Sequence, residues 1–345
     1  MEYSALDSLP ESLLERLTAD VKEHFGFDTT PDVGEIRLLR KPYSRVFRVQ
    51  LKGPADGPCV YLKAPIRSPK NEHLLLERLE TEYRVLKELS ARMPSTARAG
   101  VVEPLAYYPE QPAVATVEAP GATLGGLVSR HARWYSLSGQ CWELPLYANL
   151  CGRWLRDFHD ATAQGARRFD IDEHLEYCEP RLSLLCKIDR VGFDAEQAKK
   201  VLARLTALAA SVPEGDNTVA GRHNDFAGHN IIAGHRGVRV LDFSMYDHGS
   251  TYFDVCNFWL DLDVLKMDRA FAPRVLSALQ GIFLDSYGGA SPAHPLFTLV
   301  RCRYVLNRLL TTVNSLKKWN RSYPARRRLA KAYYQWLTDF ADGRL

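Results

Sequence analysis

Apolar residues recur at helical spacing almost from the start of the chain, and then the period changes. Leu13, Leu14, Leu17 and Val21 share one face of residues 11–24, with Pro10 where a helix can begin, so the pattern predicts a short amphipathic helix. From about Ile36 the period becomes two. Ile36–Leu39, Val46–Leu51 and Val60–Ala64 read as short strands, separated by Lys41-Pro-Tyr-Ser44 and by the turn-rich stretch 53–58. Asn71–Met93 follows as a long helix with leucines on one side. Two further strands, Val102–Tyr107 and Ala113–Glu118, flank the turn at 109–112. Strand, strand, strand, helix, strand, strand describes a small antiparallel sheet with one helix packed on it.

Ala119–Gly121 interrupts this pattern, and the chain then turns helical over about 122–134, 145–163, 173–187, 194–211, 267–286, 295–318 and 323–339. One β-rich interval, between Gly221 and Phe243, breaks the helices. The expected organisation is α+β: an N-terminal helical extension (1–33), a β-rich lobe (34–118), and a mainly helical lobe (119–345) with an insertion at about 172–212. No internal repeat or low-complexity tract is evident.

Composition narrows the class. Apolar residues at 46% and charged residues at 25% fit a soluble globular protein, and a net charge of +4 does not by itself call for nucleic acid or membrane. The seven cysteines (59, 141, 151, 178, 186, 256, 302) are scattered without C-x-x-C spacing, which predicts reduced thiols and a cytoplasmic location. The first twenty residues carry acidic groups and no apolar core of a signal peptide, and no run of about 18 apolar residues suits a membrane span.

The chemistry concentrates in residues 221–254. His223, Asp225, Asn230 and Asp242 alternate there with Ile231, Ile232, Val238, Val240 and Leu241, which read as buried strand positions around a turn at Ala233–Gly237. Alone, each polar residue could be a cap or a turn former. Together, His223-Asn-Asp225-Phe-Ala-Gly-His-Asn230 followed by Leu241-Asp242-Phe243 resembles the catalytic and metal-binding loops of the aminoglycoside phosphotransferase/choline kinase-like family. That family is similar in turn to protein kinases, with their H-R-D-x-x-x-x-N and D-F-G motifs.

The resemblance implies a bilobal protein-kinase-like fold with ATP and Mg²⁺ as cofactors. Phosphoryl transfer needs positioning and charge neutralisation. Asp225 would orient the acceptor hydroxyl and take its proton, Asn230 and Asp242 would hold Mg²⁺ as hard oxygen ligands, and His223 would brace the loop. Lys63, late in the third strand, would reach the nucleotide phosphates. Of Glu77, Glu80 and Glu82 on the next helix, Glu82 best matches the family's lysine partner. Ser44 stands where a phosphate-covering turn belongs, without the glycine pattern of protein kinases, and Arg45 is its possible helper. Glu118, at the interlobe hinge, falls where backbone groups receive adenine. Asp254 and His159 would support the catalytic loop from below, with Asp247 a further local anchor. The loop reads His-Asn-Asp and Asp-Phe-Ser where glycine is common, so Asn224 and Ser244 are departures with backbone consequences.

The acceptor is the open question. Residues 301–345 carry eleven Lys/Arg against two acidic groups, which permits an anionic acceptor or peripheral contact with anionic lipid. Asp261, Asp263, Glu173 and Glu176 keep a cationic acceptor, such as an aminoglycoside, in view. Trp259, Trp319, Tyr323, Tyr333, Tyr334 and Trp336 either line a carbohydrate platform or fill helix seams. The leading expectation is a small-molecule kinase acting on a sugar or sugar-containing hydroxyl, with no nucleic-acid partner. Amino-alcohol or aminoglycoside kinases, a protein serine/threonine kinase and a non-catalytic nucleotide binder are the alternatives. Against the protein kinase, no A-P-E segment follows Asp242.

Overall fold

The computed structural model describes residues 8–52, 57–66, 72–93, 98–134, 142–188, 192–316 and 322–345. Asn71, Cys141, Trp319, part of the 53–58 turn and the end of the predicted 295–318 helix lie outside the described residues. The chain divides into two compact units: Met1–Leu124 with His229–Tyr246, and Gly125–Gly228 with Asp247–Leu345.

The first unit opens with α1 (Glu11–Phe25), followed by β1 (Val33–Arg40), β2 (Ser44–Leu51), β3 (Cys59–Pro65), α2 (Glu72–Arg92), β4 (Ala99–Val101), β5 (Pro104–Tyr108), β6 (Ala113–Val117) and β7 (Ala122–Thr123). Antiparallel pairing orders a five-stranded sheet β1-β2-β3-β6-β5. Leu13, Leu17 and Val21 of α1 pack against Phe47, Val49 and Leu51 of β2 and Val60, Leu62 and Ala64 of β3, all buried. Side chains alternate across a strand, so Lys63 leaves β3 on the face opposite Leu62 and Ala64. The 3.6-residue repeat that buries Leu79, Leu86 and Leu89 of α2 also buries Glu82. A carboxylate in an apolar stripe requires a partner.

The chain returns to this unit as a hairpin, β10 (Ile231–Gly234) and β11 (Gly237–Val240). Ile231 pairs with Val240 and Gly234 with Gly237, and β11 runs parallel to β4, with Ala99 opposite Val238. Gly237 has φ +90°, and a Cβ there would stand 1.9 Å from the carbonyl oxygen of Arg98, so the turn admits glycine alone. Ile232 and Leu241, expected in the core, are half-buried.

The second unit is mainly helical: α3 (Leu124–His131), α4 (Glu143–Ala161), α5 (Ile171–Cys186), α6 (Ala195–Ala210), α7 (Tyr252–Leu265), α8 (Pro273–Tyr287), α9 (Pro295–Ser315) and α10 (Tyr323–Ala341). A small sheet joins β12 (Asp247–Ser250) to β9 (Thr218–Arg222) and β8 (Gly165–Ala166). The helix expected over 267–286 begins instead at Pro273, whose fixed φ and missing N–H suit a first turn and no earlier helical position. The preceding residues Tyr252–Leu265 form α7, whose all-round burial hides any amphipathic period. Among the described residues no helix is long and apolar enough to cross a membrane, and the six described cysteines are free thiols.

Candidate active site

Each unit carries its own group of polar side chains. In the first, Lys63 Nζ lies 2.9 Å from Glu82 Oε2 and 2.7 Å from Asp242 Oδ1. Burial works against charge on Lys63, but the two carboxylates outweigh it and raise its pKa, so the ammonium persists at any physiological pH. Burial also pushes the Glu82 carboxyl up, and Lys63 pulls it back down.

Asp242 follows β11 with φ +68°, a left-handed backbone that few non-glycine residues adopt. Ser244 Oγ donates to Asp242 Oδ1 at 2.6 Å, so the hydroxyl at this departure from glycine fixes the carboxylate's rotamer. Asn230 is buried immediately before β10, and its carbonyl accepts the Leu241 N–H at 3.0 Å, closing the hairpin beside Asp242. Strain at a polar residue, held in place by hydrogen bonds, is characteristic of functional positions.

Asp242 and Asn230 are hard oxygen donors, and Mg²⁺ takes one or two such protein ligands while retaining waters and substrate phosphates. The donor set therefore fits Mg²⁺. Among the described residues no group of three His, Cys, Asp or Glu forms an all-protein cage for a metal.

Ser44 opens β2, where its carbonyl accepts the Lys41 N–H at 3.0 Å and closes the turn. The Glu118 carboxylate is committed inside the sheet: Arg48 donates to it from Nε at 2.8 Å and from Nη2 at 2.9 Å, and Tyr61 at 3.1 Å. Arg48 holds its pKa below the usual carboxylate range. The Glu118 N–H donates to the Cys59 carbonyl, so this backbone donor is used by the strand. A cavity of about 400 Å³ opens beside Glu118, lined by residues that include Met93, Val102, Pro120, Ile232 and Arg239; Lys63 and Asp242 do not line it.

In the second unit the loop after β9 carries His223 and Asp225. Asn224 between them has φ +62°, and asparagine tolerates this conformation better than most residues. Two consecutive loop N–H groups converge on buried Asp254 of α7: His223 donates to Oδ2 at 2.7 Å and Asn224 to Oδ1 at 2.8 Å. Burial alone would raise the Asp254 pKa, but His159 and the His223 N–H stabilise the carboxylate and bring it below its ordinary value.

His159 Nε2 lies 3.3 Å from Asp254 and its Nδ1 2.9 Å from Tyr287 Oη. An ionised carboxylate only accepts, so Nε2 carries the hydrogen, and in the neutral ring Nδ1 accepts the Tyr287 hydroxyl. Burial lifts that phenol to about 12 and keeps it a donor. His223 is fully buried and its Nδ1 accepts the Asp225 N–H at 3.3 Å, which fixes the loop backbone. Asp225 itself is half-exposed. Phe226 anchors the next position between Trp154, at 5.6 Å, and Phe258, also at 5.6 Å.

The structure thus brings together Lys63, Glu82 and Asp242 in one unit, and His223, Asp225, Asp254 and His159 in the other. Sequence reasoning missed Tyr287, which lies far along the chain with no local signal. It also missed Arg222, although a basic residue ending a buried strand is visible in Arg-His-Asn-Asp. Arg222 pairs with Asp247 through two hydrogen bonds of 2.7 and 2.8 Å, and Asn224 Nδ2 donates to the same carboxylate at 2.8 Å.

Comparison with solved structures finds the same fold at low identity. A streptomycin–ATP complex of APH(2")-IIa matches with a TM-score of 0.55 at 13% identity, covering 97% of this chain and 99% of that one. A glucosamine kinase matches at 0.56 and 16% identity, with 90% and 95% coverage. Choline kinase from Cryptosporidium parvum Iowa II matches at 0.56 and 10% identity, with 96% and 95% coverage. No curated protein matches significantly. The family model described as "Phosphotransferase enzyme family" matches residues 66–292, well over half of the chain. With the loop residues in the order His223, Asp225, Asn230, Asp242, and with this fold around them, the chain belongs to the phosphotransferase enzyme family.

Proposed function

We propose that the protein is an ATP- and Mg²⁺-dependent kinase that transfers the γ-phosphate to a hydroxyl of a small molecule, with sugar-containing acceptors favoured. The observation that carries the reading is the Lys63–Glu82–Asp242 cluster, an ammonium fixed between two carboxylates within one unit. Such a lysine is pre-oriented toward phosphate oxygens, and Asp242 beside it is the charged half of a magnesium site. The ATP in the APH(2")-IIa complex agrees with this choice of donor.

Asp225 orients the acceptor hydroxyl and takes its proton as the oxygen bonds to the γ-phosphorus. The bond from that phosphorus to the β,γ-bridging oxygen breaks, and ADP leaves. Mg²⁺, when bound, neutralises charge on the phosphates. His223, Asp254 and His159 hold the loop that carries Asp225, and Glu82 holds Lys63. Ser44 lies at the turn that covers the phosphates, and the hinge backbone at Glu118 flanks the base.

The test is Asp225→Asn, read by label transfer from γ-labelled ATP to the small molecules of a metabolite extract. Transfer is expected to fall by a factor on the order of 10³ or more while Mg–ATP binding persists. Unchanged turnover removes Asp225 from its role. Labelling of protein alone, or of nothing, favours the protein-kinase or the non-catalytic reading instead.

A further inference from the structure

A series of stacked side chains runs through the second unit. The Cζ of Arg181 lies 3.4 Å from the ring centroid of Tyr177 on α5, and the Cζ of Arg303, on α9, lies 3.5 Å from the same centroid. Two guanidinium groups at that distance cannot share one face without overlapping, so the tyrosine is covered on both. Arg303 also stands 5.0 Å from the ring of Phe253 on α7, and Arg222 stands 4.5 Å from that ring. Arg222 ends β9, three residues before Asp225. The series Arg181, Tyr177, Arg303, Phe253, Arg222 therefore leads from the helical insertion to the catalytic loop.

These cations differ in how they are neutralised. Arg222 is matched by Asp247. Arg181 is held by neutral groups: its Nε donates to Asn307 Oδ1 at 2.8 Å and its Nη1 to the Tyr177 carbonyl at 2.7 Å. Among the described residues, the carboxylate within ion-pair range of Arg303 is Glu173, at 3.9 Å. The Arg303 side chain is only 18% exposed while that of Glu173 is 65% exposed, so a largely desolvated cation leans on a distant, solvated partner.

Nearby His174 does not relieve the imbalance. Burial, and secondly the charge of Arg303, push its imidazole down to about 4 and keep it neutral. Of the four acidic residues that would favour a cationic acceptor, Asp261 and Asp263 are in use. Asp261 accepts the Gly228 N–H at 3.0 Å, and Asp263 pairs with Lys266 at 3.3 Å and Arg301 at 3.4 Å.

A guanidinium clamped flat on an aromatic ring presents its N–H groups at the ring's edge, where they match a carboxylate or phosphate bidentately; Arg181 already donates from Nε and Nη1, so Arg303 carries that contact and Arg181 adds charge beside it. We propose that the acceptor carries an anionic oxygen group, a carboxylate or a phosphate, received by Arg303 and Arg181 on the Tyr177 stack. This inference rests on the phosphotransferase reading, because it treats the cluster as part of the acceptor site.

Binding and transfer are measured separately. Calorimetric titration in saturating AMP-PNP and Mg²⁺ compares D-glucuronate and glucose 6-phosphate with neutral glucose and cationic glucosamine. The two anions separate carboxylate from phosphate preference. At least one anion is expected to bind more tightly than glucose, and Arg303→Gln is expected to weaken it roughly ten- to hundredfold. Arg303→Lys restores part of the affinity, since lysine keeps the charge but not the planar fork. Arg181→Gln, a second variant, guards against a folding defect, and near-ultraviolet circular dichroism checks both. Binding indifferent to probe charge, tighter for glucosamine, absent for both anions, or unchanged in the glutamine variants overturns the proposal. In parallel, the metabolite extract is split on anion and cation exchangers before the label-transfer assay. Acceptor activity in the anionic fraction sustains the proposal, and activity confined to the cationic or unretained fraction overturns it. Arg303-dependent anion binding without transfer in any fraction leaves the anion site standing and removes the phosphotransferase reading.

Discussion

Replacing Asp254 by asparagine tests the support beneath the loop that carries His223 and Asp225 without changing the shape of the side chain. The carboxylate accepts the N–H groups of His223 at 2.7 Å and Asn224 at 2.8 Å, and a ring nitrogen of His159 at 3.3 Å. Asparagine offers one acceptor oxygen and one NH₂ group, so at least one of the backbone donors meets another donor. Asp254 is fully buried, and no solvent takes over the lost bond. A hydrogen bond to a charged group contributes about 1.5–3 kcal/mol, and the remaining bond weakens once its acceptor is neutral, so the expected loss is about 2–4 kcal/mol. That is a large share of the 5–15 kcal/mol typical of a domain.

Because the chain has two compact units, a single global melting curve does not isolate this loss. Amide hydrogen exchange does. At His223 and Asn224 it should accelerate roughly 100-fold, the equivalent of about 3 kcal/mol. Exchange within threefold of wild type at both amides would refute the reasoning. Glu196→Gln, at the exposed pair with Lys200 in the same unit, is the control and should cost no more than about 1 kcal/mol. The sign with pH follows from the lowered pKa. The Asp254 contribution is complete above its ordinary value of 3.8 and is lost as the pH falls below it, an acid-side dependence that Asp254→Asn removes.

Lys63→Met leaves Glu82 and Asp242 without their shared ammonium. The first unit should lose about 3 kcal/mol in denaturant titration near pH 8, and less near pH 6, because burial lets Glu82 take a proton; a flat pH dependence would contradict the buried carboxylate. Asn224→Ala should cost about 1–2 kcal/mol more than Asn224→Gly, both variants losing the bond to Asp247 while only alanine resists φ +62°; equal stabilities would remove the backbone argument. His174 is held at about 4, well below 6.5, so stability should fall by about 3 kcal/mol as pH drops from 6.5 to 4. In His174→Gln that segment of the stability–pH curve should flatten.

Much of the fold was legible because its signals are local. The two-residue period marks β2 and β3, and the leucine stripe marks α2 with Glu82 placed in it. Pro10 and Gly26 bracket α1, the latter at φ +66°. The loop quartet drew attention through its spacing and order. The tertiary choices were not. Nothing near Glu82 in sequence says that Asp242 will share its lysine, and nothing near His159 announces Tyr287 as its second partner. The extent of α7 was not legible, because a helix buried on every side has no polar stripe, and the early start expected for α8 came from reading apolar residues past Pro273. Glu118 drew attention by its place before Ala-Pro-Gly, yet its carboxylate serves Arg48 in the sheet. That pairing depends on strand register, which the sequence pattern does not specify across β2, β3 and β6.

The parallel pairing of Ala99–Val101 with Val238–Val240 also bears on how the chain is made. The first unit cannot be completed until its returning hairpin has been synthesised. At 5–20 residues per second, the ribosome needs roughly 7–30 s to go from β4 to β11. During that interval the five-stranded sheet and its helices must persist with the edges of β4 and β7 uncovered, while much of the second unit emerges. Exposed strand edges are sites of mispairing, so this stretch of synthesis leaves the nascent protein open to it. Gly237, by letting the hairpin turn against Arg98, allows the pairing that closes that interval.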